Sequence, residues 1–184
     1  PLAGSGIEVS GLQTPNPQTG FGFSYGGSMK EIEPAGLYII KDEYFAKFPC
    51  KLYMDNKNES RPHYYALKDN NGLYWMIPIS SKVEKFRAKI ADVEARSGED
   101  SCFLFALAPV SGRDRAFIIS EMFPVTEEYI LRPYTVKGKP LVIQSEEIQR
   151  TLKKKAMRFL SMVDRGKVKS PLNVMQTKRK LLGK

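Results

Sequence analysis

Four residues, Asp69-Asn70-Asn71-Gly72, do most to limit what this chain can fold into. They separate two apolar, aromatic-rich runs, His63 to Lys68 and Leu73 to Ile79. Asn-Gly between β-favouring runs signals a tight hairpin, because both residues tolerate positive φ. The two runs are therefore predicted to pair antiparallel, which makes the start of the first a neighbour of the end of the second. Gly36-Leu37-Tyr38-Ile39-Ile40 reads as another strand, and Asp42 to Phe48 as a short helical turn with Asp42 as its cap. Phe103–Val110 and Arg115–Ser120 flank Ser111-Gly112-Arg113-Asp114 as a second hairpin, which Met122 to Val125 extends or follows with a short strand. Tyr134–Val136 is expected to pair with Leu141–Ile143 across Lys137-Gly138-Lys139.

Helical periodicity appears in three places. Val83, Phe86, Ile90 and Val93 recur at helical spacing, which predicts a helix over Lys82 to Arg96. Ser145 is placed to cap a long helix reaching about Val163, with Glu146 and Glu147 in the first turn, where the helix dipole favours acids. Ser170-Pro171 predicts a last helix with proline at its first position. The fold class is α+β: a compact single domain with a strongly twisted antiparallel sheet, a partly closed barrel, surrounded by helices.

Residues 1–28 differ in composition from the rest of the chain. They hold seven of the 14 glycines, no Lys or Arg, and a single acid, Glu8, and Gly26-Gly27-Ser28 leads directly into Met29. They read as an appended leader or flexible segment, with the domain occupying 29–184. The whole chain carries a formal net charge of +9 and residues 1–28 contribute none of the positive charges, so the surplus belongs to the domain and points to a polyanion. No apolar run approaches the roughly 18 residues of a membrane span, and no signal-peptide pattern opens the chain, which weighs against a membrane partner. Cys50 and Cys102 sit in apolar stretches as reduced core residues of a cytoplasmic protein. With them, the lone His63 cannot furnish a structural zinc site of the usual spacing. No metal or other cofactor is expected.

The basic residues are concentrated. Twelve lie between Arg150 and Lys184 against one acid, Asp164. On the long helix, Ile148, Leu152, Ala156, Phe159 and Val163 form the apolar stripe, leaving Lys153, Lys154, Lys155 and Arg158 outward. With Lys178, Arg179 and Lys180 they make a candidate phosphate-tracking surface, of the kind that supplies affinity and register. A face built only for solubility would mix both signs. Tyr53, Tyr64, Tyr65, Tyr74 and Trp75 lie on or beside the early strands, where outward rings can stack single-stranded bases. Tyr64 is the candidate carried forward, and Trp75 reads better as core.

The candidate reactive group is Pro78-Ile79-Ser80-Ser81-Lys82, where a strand passes into a helix. A helix start offers unpaired amides to a phosphate, and two hydroxyls and an ammonium there can stabilise charge on its oxygens. Ser81 and Glu84 also match a capping box, in which case Ser81 only closes the helix. The hairpin brings Arg61 and His63 towards this group. RNA cleavage needs a base for the 2′-hydroxyl, an acid for the 5′-oxygen and cationic stabilisation of the phosphorane. His63 near its free pKa of about 6.5 suits proton transfer. With one histidine, Lys, Arg and hydroxyl groups must carry the other half.

Taken in order, Gly36-Leu37-Tyr38-Ile39-Ile40, Asp42-Glu43-Tyr44-Phe45, Arg61-Pro62-His63-Tyr64-Tyr65, the Ser-Ser-Lys turn, and Asn173-Val174 with Lys178-Arg179-Lys180-Leu181-Leu182 resemble the endoribonuclease toxins of bacterial type III toxin–antitoxin systems, the ToxN/AbiQ/CptN group of phage-defence proteins. The resemblance runs from Ala35 to Lys184. It implies metal-independent cleavage of RNA to a 2′,3′-cyclic phosphate and inhibition by a small repeat RNA folded as a pseudoknot. It also implies closed rings of protein and RNA. The family's Ser/Thr-Ser pair falls on Ser80 and Ser81, and its following lysine on Lys82. Its basic residue at the start of the preceding strand falls on Arg61 or His63, where this sequence departs from the expected lysine. Two rival readings need no reactive site: a non-catalytic RNA-binding module and a protein that meets an acidic partner. Co-purified RNA separates the last from the RNA-binding module and the enzyme, and cleavage by the purified protein separates the enzyme from the RNA-binding module.

Overall fold

A computed structural model describes residues 32–50 and 56–183. The expectations for residues 1–28 and for Tyr53 lie outside the described residues. Within them, strands β1 (Leu37–Ile40), β2 (Pro62–Lys68), β3 (Tyr74–Ser80), β4 (Phe105–Val110), β5 (Arg113–Ile118), β6 (Phe123–Val125) and β7 (Ile130–Pro133) form a seven-stranded sheet. A separate two-stranded ribbon comes next in the chain, β8 (Thr135–Val136) and β9 (Lys139–Pro140). The helices are α1 (Asp42–Lys47), α2 (Val83–Ser97), α3 (Glu146–Asp164) and α4 (Val174–Leu181). No helix among the described residues is long and apolar enough to cross a membrane.

The sheet is ordered β4-β5-β3-β2-β1-β7, and every pairing is antiparallel. β3 organises it. One edge of β3 pairs with β2, while the other is shared: Tyr74–Met76 faces β6, and Ile79 and Ser80 face β5. The partly closed barrel is not found. β4 and β7 remain the two ends of an open sheet.

The first hairpin forms as expected, with His63 opposite Pro78. Only Gly72 uses positive φ, at 82°, while Asp69 Oδ1 accepts from the amides of Asn71 and Leu73. The second hairpin is tighter than expected. Val110 pairs with Arg113, so Ser111-Gly112 alone makes the turn, with both φ values positive. The ribbon is likewise closed by Lys137-Gly138, with Val136 opposite Lys139.

Ser145 caps α3 as predicted, accepting from the Ile148 amide at 3.4 Å. Leu152, Ala156 and Phe159 are buried. Three other expected caps differ. Lys41 is the N-cap of α1, and the Asp42 amide is taken by Glu59 Oε1 at 2.9 Å. Lys82 is the N-cap of α2, with no side-chain cap bond, so the Ser81–Glu84 box is not formed. α4 begins after Asn173, in the left-handed region at φ 46°, three residues beyond Ser170. Asparagine tolerates that conformation better than most side chains. Trp75, Phe117, Phe123 and Phe159 are among the largest fully buried side chains of the core.

Candidate active site

The register of β3 gathers the site. Ser80 pairs with Ala116 of β5, so the chain beyond Ser80 continues alongside Arg115 and Arg113. On the opposite edge, the start of β2 brings Arg61 and Pro62 to the same end of the sheet. The result is a cavity of about 770 Å³, whose lining includes Arg61, Ser80, Ser81 and Lys82. Lys57, Arg113 and Arg115 join them, so among the described residues five cationic side chains and no carboxylate line the cavity. Leu37, Tyr134, Val136 and Leu141 complete the wall on the side of the β8–β9 ribbon.

The two serines differ. Ser80 is half-buried, and its Oγ accepts the Lys82 amide at 3.2 Å, which folds the strand end back towards α2. Ser81 and Lys82 are exposed. Because the capping box is absent, the first amides of α2 are not covered by a cap side chain. Arg61 is buried at 8 % exposure. Half-buried Glu121 has its carboxyl pushed up by burial, against the opposing charges of Arg61, Lys89 and Lys85.

His63 is not part of the cavity. It is 2 % exposed, with its ring centroid 5.2 Å from Phe123 and 5.9 Å from Phe45. Burial, with the positive charge of Arg61 beside it, holds its pKa down at about 3. A neutral imidazole sealed among aromatic rings cannot exchange protons with a phosphodiester in the cavity. The proton-transfer role expected for it has no geometric support. The middle of β2 is covered on both faces: His63, Tyr64 and Tyr65 in succession are buried.

The expected RNA surface is also thinned. Tyr64 is buried edge-to-face against Phe117 at 5.4 Å, its hydroxyl pushed up to about 12 by burial, so it offers no ring to a base. Lys155 donates to the carbonyls of Cys102 at 2.6 Å and Phe105 at 3.4 Å, tying α3 to the entry of β4. Lys178 pairs with Asp69 at 2.7 Å and lies over the Trp75 ring, fixing α4 to the first hairpin. Arg158 lies over the Phe103 ring at 4.7 Å. Lys153, Lys154, Arg179 and Lys180 are exposed.

A salt titration separates these roles. Replacing Lys153 and Lys154 together by Ala is expected to flatten the log–log salt dependence of RNA affinity by about 1.4 units, at roughly 0.7 per phosphate contact. Lys155→Ala is expected to leave the slope alone and cost about 1–3 kcal/mol of stability, since two buried carbonyls lose a charged donor. An unchanged slope in the double variant would make those lysines a solvated face.

Sequence reasoning missed Lys57, Arg113, Arg115 and Tyr134. Arg113 and Arg115 alternate on one strand face, but only the β3–β5 register shows what that face meets. Among the described residues, no three His, Cys, Asp or Glu side chains are grouped to hold a metal ion.

No protein-family model and no curated protein matches the sequence. Among solved structures the fold is similar to that of AbiQ, a lactococcal anti-phage endoribonuclease belonging to the type III toxin–antitoxin system. The two share 15% identity at a TM-score of 0.57, over 82% of this chain and 97% of that one. The short motifs that resemble this group in the sequence are therefore carried by a chain with the fold of AbiQ.

Proposed function

We propose that this protein is a metal-independent, sequence-preferring endoribonuclease toxin that cleaves RNA by transesterification and is restrained by a cognate repeat RNA. The observation that carries the reading is the cavity, lined among the described residues by five cations and four serines and by no carboxylate. A polyanion is the ligand that such a lining suits. Among the described lining residues a hard divalent cation has no anionic ligand, which favours meeting the charge of a phosphate with side chains and amides. The fold shared with AbiQ supports the same reaction class.

In this scheme the 2′-oxygen attacks the adjacent phosphorus, the 5′-oxygen leaves, and a 2′,3′-cyclic phosphate remains. Negative charge builds on the non-bridging oxygens. In this reading the Lys82 ammonium and the first amides of α2 would receive it, helped by Arg61 and the Ser80 and Ser81 hydroxyls; that Arg61, Ser80, Ser81 and Lys82 all line the cavity supports this. Proton transfer falls to cavity hydroxyl and ammonium groups, since His63 lies elsewhere. The exposed Lys153, Lys154, Arg179 and Lys180 would hold flanking phosphates of target or antitoxin RNA, in whatever protein–RNA ring the two build.

The reading is tested by incubating the purified protein with cellular RNA. Discrete fragments are expected. Tight binding that leaves the RNA intact would make this a non-catalytic RNA-binding protein.

A further inference from the structure

Beside its cations the cavity has apolar lining residues, among them Leu37, Val136 and Leu141, and among the described residues Tyr134 is the one aromatic of the lining. Resting on the RNA-cleaving reading of this cavity, we infer that this apolar part is a nucleobase subsite in which the Tyr134 ring stacks on a base next to the scissile phosphate.

Tyr134 is held for that task. Its amide donates to the Leu37 carbonyl at 2.8 Å, and its own carbonyl accepts the Leu141 amide at 2.8 Å. Leu37 in turn donates to the Leu141 carbonyl at 2.9 Å, so β1 and the base of the ribbon form one fixed wall. Tyr134 and Val136 line the cavity while exposed Thr135 does not, as strand alternation requires. The Tyr134 side chain makes no hydrogen bond or ring contact among the described residues, and it is half-buried. The ring packs partly against the core and stays half-buried, so it is anchored while part of it remains open. A ring fixed beside a cationic pocket fits a single-stranded nucleotide, whose phosphate meets the cations and whose base meets the ring. A duplex, with its bases stacked on each other, has no face to offer it.

The test uses the full chain and a single-stranded RNA made uncleavable by 2′-O-methyl groups, read by fluorescence anisotropy. Tyr134→Ala is expected to weaken binding on the order of ten-fold, and Tyr134→Phe to restore most of that loss, because stacking needs the ring and not the hydroxyl. Moving one abasic residue along the RNA should find a position that costs the wild type a similar factor and costs Tyr134→Ala nothing. Equal binding by wild type and Tyr134→Ala, or equal sensitivity of both to every abasic position, overturns the subsite. Cleavage of unmodified RNA is read separately. A wild type that binds but never cuts counts against the nuclease reading alone, and the stacking result still stands or falls on the binding arm.

Discussion

Lys82→Ala is expected to lower the rate of RNA cleavage on the order of 10²-fold or more, with the fold and most of the RNA affinity kept. The size of the loss is that typical of removing one donor aimed at transition-state charge. Lys82 lines the cavity and is exposed, so its removal leaves no buried group unpaired. Four other cations stay in the cavity, and the exposed basic residues of α3 and α4 are untouched, so ground-state binding changes little. Turnover and thermal melting measured on the same preparation separate the two effects. Wild-type turnover by Lys82→Ala would move the site elsewhere. Ser81→Ala is cleaner to interpret than the sequence alone suggested, because the hydroxyl does not cap α2 and its loss carries no capping cost.

The second large effect concerns acid stability. His63 ionises near pH 6.5 in an unfolded chain and at about 3 in the folded one, where burial and then Arg61 oppose its charge. Its folded value is the lower, so its neutral form stabilises the fold fully above about pH 6.5. That contribution is lost as pH falls towards 3, because the unfolded chain takes up the proton first. The slope is about 1.4 kcal/mol per pH unit across that window, amounting to several kcal/mol in total. That is a large share of a typical domain's stability. Denaturant melts from pH 7.5 to 4 should show this slope in the wild type, and His63→Phe should remove it. The same variant, set among Phe45 and Phe123, is expected to cut RNA within a few-fold of wild type. A folded His63→Phe protein that had lost activity a hundred-fold would restore His63 to the chemistry.

These two residues mark how far the sequence could be read. The first hairpin was legible because its turn chemistry is local, and α3 because period and cap agree over five turns. That hairpin alone places Arg61 beside Ser80 and Lys82. What a strand face meets is not local. His63 and Arg61 are two residues apart, yet one is enclosed by Phe45 and Phe123 while the other lines the cavity. The outward face expected of Tyr64 is instead covered by Phe117 from β5. β7 gave no signal because Ile130-Leu131-Arg132-Pro133 is a short edge strand with half its side chains exposed and a proline at its end. In the sequence Arg113 reads as a turn residue and Arg115 as the start of a strand, and only the pairing of β5 with the end of β3 brings both to the cavity. The lysine run on α3 shows the opposite error. Periodicity put Lys155 outward, but a long side chain at the border of the buried face reaches back to the carbonyls of Cys102 and Phe105.

In the proposed function this cavity cleaves RNA with its own cations. This is tested most directly by the chemistry of the ends produced when the purified protein acts on a defined single-stranded RNA in excess EDTA. Undiminished cleavage is expected, with a 2′,3′-cyclic phosphate on one fragment and a 5′-hydroxyl on the other. Cleavage abolished by EDTA, or fragments ending in 5′-phosphate and 3′-hydroxyl, would contradict it.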